Sequence, residues 1–191
     1  MRSGVRILVG LGAVLSLLAA GRLSSGAGAN KERRYYNARL GVGVEAPTGW
    51  SLSLHTGYGN VLCTLLHPGG SRISLAVDRT KAKDAAALAA DSRPGLAAQG
   101  MTVDRVAPGP RGGVLLEARL ARRSQALRQL YVVRDLDAAR GDRQAVVLTL
   151  STSAAELAAA SPSFDWAIAH LDLEAPVHPD EKPSDKPDAG R

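Results

Sequence analysis

Cys63, His67 and Ser71 follow one another at four-residue intervals, and they carry most of the reactive chemistry this chain offers. Three chemistries can be set against that spacing: a metal site, a thiolate nucleophile and a serine hydrolase. A Cys–His pair at i and i+4 meets on one face of a helix, but Val61 to His67 (VLCTLLH) is apolar on both faces and reads as a strand in the middle of a sheet. On a strand rising about 3.3 Å per residue the two side chains stand about 13 Å apart, whereas zinc needs each within about 2 to 2.3 Å. No metal is therefore expected here, and His55, His170 and His178 form no ligand-spaced cluster. Cys63 is expected to be a buried, unreactive thiol and His67 a residue at a strand end.

Ser71 closes the loop His67-Pro68-Gly69-Gly70-Ser71, which gathers a hydroxyl, an imidazole and glycine amides in five residues. Those are ingredients of nucleophilic catalysis. The loop lacks the G-x-S-x-G elbow, and Pro-Gly-Gly is ordinary turn chemistry. A small secreted hydrolase using Ser71 with His67 or His170 is thus the alternative to a non-catalytic reading. Gly41-Val42-Gly43 lacks a third glycine and a following helix, and Gly109 to Gly113 leads into a strand, so neither is a nucleotide loop and no cofactor is expected.

The main charge feature is a group of arginines: Arg119, Arg122, Arg123, Arg128 and Arg134. As a docking face for an acidic partner or an anionic surface, a membrane's included, it would speed association in a salt-dependent way. As a solvated hairpin it would discourage edge-to-edge strand pairing.

These side chains depend on a scaffold that opens at Tyr35 to Trp50 (YYNARLGVGVEAPTGW). Leu40, Val42, Val44 and Ala46 alternate with Arg39, Gly41, Gly43 and Glu45, the pattern of a half-buried strand. Pro47-Thr48-Gly49 turns the chain, and Trp50, Leu52 and Leu54 resume the alternation. Thr56 to Asn60 supplies another turn. Ile73, Leu75 and Val77 alternate in a strand after the Pro-Gly-Gly turn. From Asp84 the period changes, giving a helix over 84–99 with Asp84 as N-cap, Gly100 as stop and a break near Arg93 imposed by Pro94. Strands return at 101–106, 114–121, 127–133 and 146–150. Ser153 and Glu156 have capping-box spacing, Ser161-Pro162 restarts the helix, and Phe164, Ile168 and Leu171 form one helical face.

Arg2 and Arg6 precede an apolar run from Ile7 to Ala20, followed by Ala27-Gly28-Ala29, the order of a secretory signal peptide cleaved after Ala29. The run is shorter than the roughly 20 apolar residues of a spanning helix. Three of the 24 Lys and Arg residues lie in this leader and no acid does, so its loss lowers the formal charge from +6 to +3. A nucleic-acid partner is not expected at that charge. Residues 30–35 read as an exposed lead-in, 36–174 as a single α+β domain and 175–191 as a disordered tail rich in Pro, Asp and Lys. With one cysteine no intrachain disulfide can form, and core packing must carry stability.

Tyr36, then Gly41, then Pro47-x-Gly49-Trp50, followed by strands, a helix, strands and a late helix, resembles the PsbP/Mog1/DcrB-like superfamily over about 36–174. The resemblance implies one antiparallel sheet flanked by helices in an α/β/α sandwich, used for binding and assembly. Members of that superfamily look like extrinsic photosystem subunits, a nuclear-transport factor, periplasmic proteins and secretion-system chaperones. No shared catalytic set comes with it. The expectation is a secreted or periplasmic, non-catalytic module that contacts a protein or envelope component through a sheet face or the Arg122 hairpin.

Overall fold

A computed structural model describes residues 33–54, 59–120, 122, 124–137 and 140–175. The expected leader, residues 30–32 of the lead-in, residues 55–58, Arg123 and the tail from 176 onward, with His55 and His178, lie outside these residues.

The longest strands form the centre. β8 (Gln125–Asp137) and β9 (Asp142–Ser153) pair along their whole length, and β5 (Arg72–Thr80) lies on the other side of β9. Outward from β5 come β4 (Val61–Leu66) and β3 (Ser51–Ser53), and outward from β8 come β7 (Val114–Leu120) and β6 (Thr102–Pro108). The seven-stranded order β3-β4-β5-β9-β8-β7-β6 is antiparallel at every pairing. A second sheet of three short antiparallel strands joins the first and last strands of the described residues. β1 (Arg34–Asn37) and β10 (Leu171–Leu173) flank β2 (Val42–Glu45).

Strand alternation gives the large sheet two different faces. Leu130, Val132, Val146, Leu148, Leu150, Ile73, Leu75, Cys63 and Leu65 line one. Over them lie Phe164, Ala167 and Ile168 of α2 (Leu157–Ala169), together with Val42, Val44 and Leu171 of the small sheet. On the other face Leu116, Ala118, Leu127, Tyr131, Ala145 and Val147 pack under Leu88, Ala89 and Leu96 of α1 (Ala85–Ala98). This is the expected α+β sandwich of antiparallel sheet between helical layers.

Four features differ from the sequence reading. There are two sheets and not one, because β1 and β10 pair with β2 and leave the large sheet to the other strands; Arg34 and Tyr35 are strand residues. Leu171 is buried as expected, but as the first residue of β10, since α2 stops at Ala169 and His170 caps it. Neither helix is interrupted at its proline: α1 runs unbroken through Pro94, and α2 runs through Ser161-Pro162 with no restart there. Ala90, whose carbonyl loses its amide partner at Pro94, and Pro94 itself are both exposed, so water can serve that carbonyl. Finally β4 is second from the edge and not central: Leu62 and Leu66 face the side away from α2 and are only half-buried.

Asp84 caps α1 as expected, accepting from the Ala87 amide at 2.7 Å, and Gly100 follows the helix at φ +78°. Gly49 takes φ +83° in the turn that brings the Trp50 amide to the Pro47 carbonyl at 3.1 Å. That turn drops the indole into the core, where Nε1 donates to Ser163 Oγ at 3.2 Å and ties β3 to α2.

Candidate functional site

The three residues with nucleophile or ligand chemistry are each taken up by the scaffold. Cys63 is fully buried on β4, and that burial pushes its thiol up to about 12, so thiolate is scarce at neutral pH. His67 follows the end of β4 and is exposed; its Nδ1 accepts the Gly69 amide at 3.1 Å, while the ring leans on Trp50 with centroids 5.2 Å apart. Ser71 is only 3% exposed, and its hydroxyl pairs with Thr152 Oγ1 at 2.7 Å. His170 Nδ1 lies 2.9 Å from the Trp166 carbonyl and the ring stacks on Trp166. The His67 backbone amide donates to the Ser71 carbonyl at 3.0 Å, but neither imidazole hydrogen-bonds the Ser71 hydroxyl. Among the described residues no three His, Cys, Asp or Glu side chains are gathered as a metal site would need.

The arginines separate into two kinds. Arg128 and Arg134 are on the face of β8 that turns toward α2 and the small sheet. Arg128 has a side chain only 13% exposed; it lies between Glu117 (3.2 Å) and Asp165 of α2 (3.3 Å), with its guanidinium 5.4 Å from the centre of the Phe164 ring. The Nε contact with Glu117 is close enough for charge attraction but is not aligned as a hydrogen bond. Arg134 clasps the small sheet. Its guanidinium donates to the carbonyls of Leu40, of Gly41 (3.1 Å) and of Glu174 (2.5 Å), and its Nε to Gln144 Oε1 at 2.7 Å. Burial lowers its pKa from the usual arginine value. Arg119 and Arg122 are exposed; Arg119 forms a two-point pair with Asp104 at 2.6 and 2.9 Å, and Arg122 stands in the β7–β8 connection. The cluster is therefore not one surface.

The residues behind the resemblance serve the same junction. Gly41 takes φ +59°, and a Cβ there would run into the Glu174 carbonyl. Gly43 lies under the Tyr36 ring and the Asp172 carboxylate, which leave no room for a side chain. Tyr36 donates to Glu174 Oε2 at 2.5 Å, which raises its pKa, and Arg34 reaches Asp172 at 3.0 Å. Tyrosine and glycines thus pin β1 and β10 onto β2.

The α1 face of the large sheet holds polar groups that the sequence reading passed over. Ser53, Thr64, Ser74, Thr149 and Gln129 are successive cross-strand neighbours from β3 to β8. Thr64 and Ser74 hydroxyls are 3.3 Å apart, and Gln129 Nε2 donates to Thr149 Oγ1 at 3.1 Å. Tyr131 extends the network: its hydroxyl donates to Gln129 Oε1 at 2.6 Å and lies 2.8 Å from Ser92 Oγ of α1. Burial pushes the Tyr131 phenol up to about 12. Beside that row runs another, Ser51, Leu66, Arg72, Ser151 and Leu127, again in register from strand to strand. α1 packs over β6, β7 and β8, while Leu62, Thr64, Leu66, Arg72 and Ala76 at the β4–β5 end of this face are half-buried. The signal was available: Arg72, Ser74, Thr149 and Ser151 are the polar positions of strands whose apolar positions were read correctly.

No protein-family model and no curated protein matches the chain. In fold it is similar to cyanobacterial PsbP (CyanoP) from Synechocystis sp. PCC 6803, known from a solution structure: 14% identity, 82% of this chain and 99% of that one covered, TM-score 0.52. The fold-level resemblance to PsbP read from Tyr36, Gly41 and Pro47-x-Gly49-Trp50 holds. At that identity the likeness establishes the fold alone.

Proposed function

We propose that this chain is a non-catalytic binding or assembly module of the periplasm or the extracellular space, which contacts a protein or an envelope component. The observation that carries the reading is that Ser71, the serine of the hydrolase alternative, is buried with its hydroxyl paired to Thr152, while the ring of His67, its hairpin neighbour, accepts from the Gly69 amide instead. A nucleophile needs a base within about 2.6 to 3.2 Å and access to substrate. The PsbP-like fold, which hosts assembly proteins, supports the same reading, and the leader-like start of the sequence supports export. No helix among the described residues is long and apolar enough to cross a membrane. Of the arginines, Arg119 and Arg122, exposed at the β7–β8 end, remain available to a partner, with Arg123 beside them in sequence.

Treatment of the purified chain with a fluorophosphonate probe tests the non-catalytic half. The expected result is no adduct at Ser71; an adduct that disappears in Ser71→Ala overturns the proposal. The binding half is tested by capture from the envelope fraction, where a stoichiometric partner is expected, released by salt and weakened by Arg122→Glu with Arg123→Glu.

A further inference from the structure

We infer that the open end of the α1 face, centred on Arg72 and Ser151, is a docking site for an acidic side chain of a partner protein. The inference rests on the module reading above and names its contact.

Two observations independently mark this place. Ser151 is 3% exposed, yet its Oγ has no hydrogen-bond partner, an arrangement that costs about 1 to 3 kcal/mol unless a ligand or water relieves it. Arg72, directly opposite Ser151 in the β5–β9 register, is half-buried, and its guanidinium has no ion pair or hydrogen bond with the described residues. Arg128, Arg134 and Arg143, the other half-buried arginines of this sheet, are all partnered. Directly opposed side chains on an antiparallel pair have Cβ atoms about 4.5 to 5.5 Å apart, so an Arg72 fork folded back over β9 would hold a carboxylate within reach of the Ser151 hydroxyl.

The neighbours select the ligand. Leu66 adjoins Arg72 on β4 and Leu127 adjoins Ser151 on β8, which gives a short aliphatic stem apolar walls. Gln125, two residues before Leu127 on the same face, buries a carboxamide oxygen that also lacks a partner. That oxygen accepts and cannot serve an anion. The site thus asks for a carboxylate, a short apolar stem and an N–H donor in one molecule, which an Asp or Glu in a polypeptide supplies. A phosphate brings only P–O–H donors and no apolar stem, and a dianion over one guanidinium between leucines is poorly matched.

The test is a titration of the chain followed by backbone amide and arginine Nε–H NMR, with N-acetyl-glutamic acid amide as probe and its neutral analogue N-acetyl-glutamine amide and inorganic phosphate as controls at matched ionic strength. The acid is expected to shift Arg72 and Ser151 saturably, and the glutamine analogue is not. Arg72→Gln should abolish the effect, and Ser151→Ala should weaken binding by about three- to tenfold, the worth of one hydrogen bond. Shifts equal for acid and neutral probe, shifts retained in Arg72→Gln, or tighter binding of phosphate overturn the inference. The module reading fails separately: a Ser71 adduct removes it, whereas a captured partner that binds Arg72→Gln as well as the wild-type chain leaves it standing and removes only this site.

Discussion

The two faces of the seven-stranded sheet put the same residue type to opposite uses. On the α2 face arginines are fasteners: Arg134 closes the small sheet onto β8, and Arg128 draws β7 and α2 together over Phe164. On the α1 face the polar residues form a lateral row, and at its open end a guanidinium and a hydroxyl have no partner among the described residues. A charge tied to three carbonyls is part of the fold, and a half-buried charge with no partner among the described residues is where we place the docking site. Removing groups from the first face should therefore cost stability, and removing Arg72 from the second should cost binding.

The contrast is broken most severely at Phe164, fully buried between α2 and the sheet. Phe164→Ala should destabilise by about 3 to 5 kcal/mol, the usual loss for a large aromatic in a core, and should also free Arg128 from the ring beneath it. Denaturant unfolding measures this, and a loss no larger than that of a surface substitution would mean the α2 face is not the dry core described. Next is Arg134→Met, which leaves the carbonyls of Leu40, Gly41 and Glu174 without their donor. We expect a loss of about 2 to 3 kcal/mol, in the range for buried groups left unpaired next to a lost charge. It should be local: amide exchange should quicken in β1, β2 and β10 and stay slow in β5 and β9. Uniform quickening would show that the small sheet is not a separable layer.

How much of this was legible in advance follows the range of the interactions involved. Val42, Val44 and Ala46, the strands at 73–77, 114–121 and 146–150, the Asp84 cap and the α+β class were all readable because alternation, capping and turn chemistry are local. Leu171-Asp172-Leu173 was not, since three residues carry no period and the strand exists only through β2, well over a hundred residues earlier. The break expected at Pro94 failed because a proline's cost depends on whether the freed carbonyl faces water, which the helical pattern does not state. The arginines looked alike in sequence; only the register tells which of them faces the small sheet, which faces Phe164 and which stands opposite Ser151. Ser71 looked like a nucleophile for the same reason, its partner Thr152 being on β9.

Smaller effects sharpen the picture of the α1 face. Tyr131→Phe removes the hydroxyl shared between Gln129 and Ser92 and should cost about 1 to 3 kcal/mol, because the Gln129 oxygen is left buried without its donor. Thr149→Val, which removes only the acceptor of Gln129 Nε2 in the same network, gives the comparison; summed losses larger than that of the double variant would show that the row acts as a unit. On the opposite face Cys63 reports the dry core without perturbing it. With its thiol pushed up to about 12 by burial, native protein should resist a thiol reagent near neutral pH and react only as it unfolds.

The smallest effect belongs to the exposed pair of Asp104 and Arg119 at the β6–β7 edge. The guanidinium's hydrogen bonds hold the Asp104 carboxyl below the ordinary carboxylate value. A depressed carboxylate contributes stability that is present above its unfolded pKa, about 3.9, and is lost as pH falls through the lower folded value. Asp104→Asn should therefore lower the melting temperature slightly at about pH 6 and not at all at the acid end, with the two curves converging as the pH falls below the unfolded value of about 3.9. Solvent and salt screen a pair in which Arg119 is 63% exposed, so added salt should shrink the gap further. An effect at Asp104 as large as that at Arg134 would erase the distinction between arginines that hold the fold and arginines that merely decorate its edge.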